Sequence, residues 1–234
     1  MKSTTAIAAL TSLTLTGVSP GAISVVDHYT FNDNATPAGV TTLGTPSYSG
    51  GSLILNRSTG LKDDATVGVT DNFGIEVIAT FSGSFPAFSF PLALTNGSNN
   101  GFGVVSIGSA VSGHGNSLLG PFGGFTAVIG TEYRLAIVRS GGTSTFYVDG
   151  LAQTGTNGST PATPTILTIG YNQLSSGGEG FMTGSINEVR SFTFAAGAFD
   201  AGSDLLPAAT IPEPSVLGLL ALPGLALLRR RRRN

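Results

Sequence analysis

Along the middle of this chain, apolar and polar residues alternate with a period of two. In Phe73–Phe81 the residues Phe73, Ile75, Val77, Ala79 and Phe81 fall on one face, and in Glu132–Arg139 so do Tyr133, Leu135 and Ile137. Successive strand side chains point to opposite faces, so such segments read as half-buried β-strands. The same reading predicts strands at Val25–Phe31, Ser52–Asn56, Gly103–Ile107, Ser144–Val148, Ile166–Tyr171 and Ser185–Phe194. Between these runs lie Asn96-Gly97, Asn99-Asn100-Gly101, Gly141-Gly142, Asp149-Gly150 and Asn157-Gly158. Such pairs tolerate the positive φ that tight hairpins need. Many short strands with polar turns predict an all-β, antiparallel sandwich. Within Ser185–Phe194, Ile186 and Val189 are three apart, and a bulge at Asn187-Glu188 would bring both to the inner face.

Both ends break this pattern. Lys2, the mildly apolar Ala6–Val18 and the small residues around Ala22-Ile23-Ser24 follow the order of a secretory signal peptide, with cleavage after Ser24 or Ala22. At the other end, Pro212-Glu213-Pro214 interrupts regular structure, Val216–Leu228 carries no charge, and Arg229, Arg230, Arg231, Arg232 and Arg233 follow. A helix of ~13 residues covers only ~20 Å, short of the ~30 Å hydrocarbon core. Snorkelling arginines extend its reach, and the basic cluster marks the cytoplasmic side. The chain therefore divides into a signal peptide (1–24), one domain (25–207), a linker with the Pro-Glu-Pro motif (208–214), a short transmembrane helix (215–228) and a basic cytoplasmic tail (229–234).

This C-terminal order resembles the PEP-CTERM sorting region. The resemblance covers Ile211–Asn234. It implies processing near Pro212, Glu213 and Pro214 by an exosortase, a membrane transpeptidase-like enzyme, with the basic stop at Arg229–Arg233. It also implies export to the cell envelope or extracellular matrix of an exopolysaccharide-producing Gram-negative bacterium, with the tail membrane-inserted before processing.

Composition narrows the chemistry of the middle. With no cysteine among 234 residues, disulfides, zinc-thiolate sites, iron–sulfur clusters and thiol nucleophiles are excluded. Gly accounts for 34 residues and only 10% are charged, which suits strands and turns better than helices. Six of the eleven basic residues lie in the two ends, as does one acid of thirteen, so the domain holds five basic and twelve acidic residues, about −7. So acidic a domain is a poor partner for nucleic acid.

A second resemblance covers the domain. Tyr133–Arg139, Gly141-Gly142 and Thr145-Phe146-Tyr147-Val148-Asp149-Gly150 are similar to the central hairpin of LamG-like, concanavalin A-like jelly rolls. Asp27–Asn34 resembles the opening strand, Phe73–Val77 an early strand, and Gly184-Ser185-Ile186-Asn187-Glu188-Val189-Arg190 the closing strand. The resemblance implies an antiparallel jelly-roll sandwich. Some members hold Ca²⁺ at the sandwich rim through Asp side chains, and here Asp63, Asp64 and Asp71 form the best local cluster, without EF-hand spacing. Others are glycoside hydrolases with the pattern Glu-x-Asp-x-x-Glu, which this chain lacks; Glu76, Glu132, Glu179 and Glu188 stand apart from other acids.

His28 lies in a predicted strand, and His114 in a glycine-rich stretch without a nucleophile elbow. Tyr48, Tyr171, Phe122 and Phe125 are candidates for stacking on a sugar ring, and Gly101–Gly130 is a long, Gly- and Phe-rich stretch of the kind that carries function. The sequence thus predicts a non-enzymatic envelope or matrix protein binding glycan or protein. The alternatives are a carbohydrate-binding module acting on exopolysaccharide and a divergent glycoside hydrolase.

Overall fold

The computed structural model describes residues 23–64, 70–83, 88–95, 102–115, 121–158, 166–171 and 180–207. The strands are β1 (Ser24–Thr30), β2 (Thr41–Leu43), β3 (Ser47–Ser49), β4 (Ser52–Asn56), β5 (Gly60–Asp63), β6 (Phe73–Phe81), β7 (Ser89–Thr95), β8 (Phe102–Ile107), β9 (Ala110–His114), β10 (Pro121–Thr126), β11 (Glu132–Ser140), β12 (Thr143–Val148), β13 (Leu151–Asn157), β14 (Ile166–Ile169) and β15 (Thr183–Thr193), followed by one helical turn, α1 (Ala201–Asp204). The signal-peptide segment up to residue 22, the Pro-Glu-Pro motif, the apolar segment and the arginine block all lie outside the described residues. Among the described residues no helix is long and apolar enough to cross a membrane.

The strands form two antiparallel sheets packed as a β-sandwich. Sheet A runs β13-β12-β11-β6-β15-β4-β3, with β1 also on β15, and sheet B runs β10-β9-β8-β7-β14-β5-β2. All eight expected strands are present, with no end displaced by more than two residues. Two of the expected hairpins turn where placed: Gly141 and Gly142 join β11 to β12 at φ 56° and 82°, and Asp149 and Gly150 join β12 to β13 at φ 51° and 80°. Asn96-Gly97 and Asn99-Asn100-Gly101 lie outside the described residues. The inward faces of β6 and β11 meet those of β8 and β14 in one core, with Phe73, Ile75, Val77, Leu135, Ile137, Val104 and Leu167 fully buried. Each such side chain contributes about 1.5–3 kcal/mol through burial.

The bulge in β15 is where the spacing placed it. Pairing with β6 shifts register between Ile186 and Glu188, so Asn187 is the extra residue and both Ile186 and Val189 are buried in the core. The shift also divides the far edge of β15. Ahead of the bulge it pairs with β4, and beyond it with β1.

A smaller core lies on the outer face of sheet A. After β15 the chain turns back and lays Phe199, α1 and Leu205 over Ala136, Val138, Phe192 and Phe194. Ile23 packs against the same group, and Ser24 pairs with Thr193, so the sandwich includes residues just ahead of the expected boundary at residue 25.

Seven strands escaped the pattern. The Gly101–Gly130 stretch is no extended loop where it is described, because it supplies β8, β9 and β10. Pro91 conceals β7; it sits where pairing with β8 shifts register between Ser89 and Leu92, a place where a strand tolerates a missing N–H.

Candidate functional site

Alternation along β1 turns His28 outward and sends Asp27 and Tyr29 towards the space between the sheets. Tyr29 packs against the main core and reaches across to sheet B, where its hydroxyl donates to Asp63 Oδ2 at the end of β5. Beside it, the Ser191 hydroxyl on β15 donates to Asp27 Oδ2 at 2.5 Å, and Asp27 N–H donates to Ser191 Oγ at 3.1 Å. Ser191 is fully buried, while Asp27, Tyr29 and Asp63 are each half-buried. Two carboxyls, a phenol and a hydroxyl from three strands of two sheets therefore meet at one rim.

The electrostatics follow from this placement. Burial pushes the Asp27 carboxyl above its usual value, the Ser191 hydrogen bond opposes that, and the negative charge of Asp63 adds to it. The Tyr29 phenol is raised by burial, then by its hydrogen bond to Asp63 and by the charges of Asp63 and Asp27. The cluster thus pairs a carboxyl biased towards keeping its proton with a second acid and a phenol that stays protonated. Such an array accepts and donates hydrogen bonds at once, as recognition of sugar hydroxyls requires. Sequence reasoning missed Asp27 and Tyr29. The signal available was a charged residue on the inward-facing positions of a predicted strand.

Three of the glutamates considered are committed elsewhere, and Glu179 lies outside the described residues. Glu76 is fully buried on the outer face of sheet A, with Arg190 Nη2 at 2.7 Å and Arg134 Nε at 3.9 Å. Burial raises its carboxyl, and Arg190, the Leu206 N–H and Arg134 counter that. Glu132 accepts from the side-chain amide of Asn187, whose Oδ1 takes the Ser52 hydroxyl at 2.5 Å. Glu188 lies 2.6 Å from His28 Nε2. The ring of His114 meets Phe90 edge-on, centroids 6.1 Å apart.

The three acids considered for calcium face different partners. Asp63 holds Tyr29, Asp64 pairs with Lys62 at 2.9 Å, and Asp71 pairs with Arg139 at 3.5 Å. Among the described residues no three His, Cys, Asp or Glu side chains are grouped to hold a metal ion.

The four candidate sugar-stacking rings are engaged in packing. Tyr48 contacts Phe31 at 6.1 Å and shares a 2.6 Å hydrogen bond with Thr36. Tyr171 stacks on Phe181 at 5.6 Å, Phe125 meets Tyr133 at 4.8 Å, and Phe122 packs on the main core.

No protein-family model matches the chain, and no curated protein matches its sequence. Solved structures do match. Domain 4 of AbnA, a GH43 extracellular arabinanase from Geobacillus stearothermophilus in complex with arabinotriose, has 14% identity and a TM-score of 0.59, covering 76% of this chain and 97% of that domain. Trypanosoma rangeli sialidase in complex with sialic acid has 13% identity and a TM-score of 0.54, covering 73% of this chain and 31% of the sialidase. A K499G mutant of NanB sialidase from Streptococcus pneumoniae has 17% identity and a TM-score of 0.52, covering 69% of this chain and 28% of that one. The chain therefore spans less than a third of either sialidase. At such identities the likeness establishes the β-sandwich. It also corrects the expectation of a non-enzymatic surface or matrix protein. All three of these neighbours belong to an arabinanase or a sialidase.

Proposed function

We propose that this chain is a carbohydrate-active protein of the cell envelope, whose LamG-like, concanavalin A-like jelly roll binds a neutral glycan of the exopolysaccharide at the Asp27–Tyr29–Asp63 rim. The observation that carries the reading is the convergence of those three oxygen-bearing, half-buried side chains between the two sheets. The fold shared with the arabinanase domain held with arabinotriose supports it. Electrostatics select the class of glycan. A domain of about −7 repels polyanions, and carboxylates at the site suit hydroxyl donors better than sugar acids. Export and sorting belong to the same proposal, supported by the order of Pro212-Glu213-Pro214, the uncharged run and the arginine block.

A second reading, glycoside hydrolysis, is favoured by the pairing of Asp27 with Asp63. Acid–base chemistry on a glycosidic bond needs two carboxyls at one site. A glycan array read together with a reducing-sugar assay separates the two. Retention of neutral arabinose-, glucose- or galactose-containing glycans, lost in Asp63→Asn and Tyr29→Phe, is the expected outcome. Release of reducing ends would establish the hydrolase. Silence on both, or binding confined to sialylated and uronic glycans, would overturn the proposal.

A further inference from the structure

The segment after β15 is held by a latch of a kind the sandwich core does not use. Phe199 stacks on Phe192 at 6.1 Å and touches Phe194 and Tyr147 at 5.2 and 5.9 Å. Asp200 caps the helical turn, its Oδ1 taking the Gly202 N–H at 2.9 Å, and Asp204 Oδ2 takes the Asp200 N–H at 2.8 Å. The end of the segment is fastened by one residue of sheet A. Glu76 accepts the Leu206 N–H at 2.8 Å with Oε1 and Arg190 Nη2 at 2.7 Å with Oε2. Arg190 also donates to the Asp204 carbonyl and lies over the Phe192 ring at 5.2 Å.

The charged groups around this point are Arg190 from β15, Arg134 from β11 and Asp204 from the segment itself. The His28–Glu188 pair stands next to Arg190, because His28 is its cross-strand partner on β1. Arg134 Nε and Arg190 Nε are buried without a hydrogen bond. A polar layer left partly unsatisfied is held less firmly than the apolar core beneath it. The segment is fastened by the stacked aromatics, Leu205 and the hydrogen bonds to Glu76 and Arg190, without the strand pairing that holds the sheets, and local opening is drawn from such regions.

We propose that residues 199–206 form a releasable strap. Latched on Glu76, the strap holds the exit point of the chain against the outer face of sheet A. Unlatched, its eight residues add up to ~27 Å of free tether at ~3.4 Å each, while both sheets stay folded. The domain is then carried on a tether of two lengths, whatever the C-terminal segment is attached to.

Hydrogen exchange on the full chain, followed by mass spectrometry, tests this. Amides of 199–206 are expected to exchange as one unit, about tenfold or more faster than those of β6, β11 and β15. Leu206→Pro removes the N–H that Glu76 accepts and leaves every residue of both sheets in place. It is expected to speed the remaining strap amides by about a further tenfold, with the sheets unchanged. Glu76→Gln should act in the same direction, and should it fail to fold, Leu206→Pro decides. Because the chain has no cysteine, spin labels at Leu151→Cys and Pro207→Cys report the distance directly. A second, longer distance, more populated with Leu206→Pro, supports the strap. A single distance in both proteins, with strap amides exchanging only as slowly as β6, overturns it.

Discussion

At Gly184 the backbone has φ 146°, and a Cβ would stand 2.0 Å from the carbonyl oxygen of Thr80 on the neighbouring strand. That contact lets β15 start against β6 just ahead of the bulge. Gly184→Ala should therefore cost roughly 3 kcal/mol or more, from the disfavoured φ and the backbone clash together. The urea midpoint measures it, and a midpoint within error of the parent would contradict the assigned geometry. Two carboxyls set a second expectation at this scale. Asp27 and Glu76 are both raised, chiefly by burial. The folded state then binds more protons than the unfolded chain between the ordinary carboxylate value and the raised one. Their contribution to stability is complete below the ordinary value and disappears as pH rises through the raised one. Asp27→Asn mimics the protonated carboxyl and should flatten the Asp27 share of that decline. Urea midpoints over roughly pH 3 to 7 bracket the range. Equal slopes for parent and variant would show that Asp27 does not titrate as described.

At the scale of elements, the bulge at Asn187 decides which side chains of β15 face which way. Downstream of it Val189 and Ser191 face the core, while Arg190 and Phe192 serve the outer face. Deleting Asn187 would leave Ile186 and Val189 two apart, so plain alternation would keep both in the core and Arg190 on the outer face, with the β6 partners unchanged. Circular dichroism and urea midpoints are expected to report a folded deletion variant, weakened by about 1–3 kcal/mol through the lost side-chain bonds of Asn187. Asn187→Ala keeps the register but loses the bonds to Ser52 and Glu132, and should cost only about 1–3 kcal/mol. A deletion variant that fails to fold would show that Asn187 is not simply the extra residue of the bulge. This feature was legible in the sequence because Ile186 and Val189 are both apolar and three apart. The strands β6, β11 and β12 were legible because large apolar residues recur at every second position, even though Ala136 and Val138 on the other face of β11 are buried too. Strand β7 was not, because all seven residues are buried and no alternation survives. Strands β9 and β10 were hidden by glycines, one of which marks packing: the Phe122 ring lies against Gly113, where a Cβ would meet it at 2.9 Å. The rim cluster was illegible for another reason. Tyr29 and Asp63 are 34 residues apart, and Asp27 and Ser191 are 164 apart, so only the pairing of β1 with β15 and the facing of the two sheets unite them.

For the whole molecule, the described fold and the C-terminal segment place demands on each other. The sandwich core is completed by residues from Phe31 to Val189, and the strap closes the outer face of sheet A by Leu206. The Pro-Glu-Pro motif, the uncharged run and the arginines lie outside the described residues, and their order in the sequence is what supports the proposal of sorting. A domain of about −7 beside a block of five arginines also separates the two parts electrostatically, since the acidic part is repelled by the anionic membrane surface that attracts the basic part. Removal of the tail would then leave an intact domain at the envelope or in the matrix. Intact-mass analysis of protein isolated from its native envelope distinguishes the outcomes. Sorting predicts a C-terminus near Pro212–Pro214 and an N-terminus at Ile23 or Val25. Of these, Ile23 keeps Ser24, whose pairing with Thr193 begins β1, and keeps the side chain that packs beside Phe192 and Phe194. A mass that still contains Arg229–Arg233 would reject processing, and the domain would then stay tethered through its apolar segment.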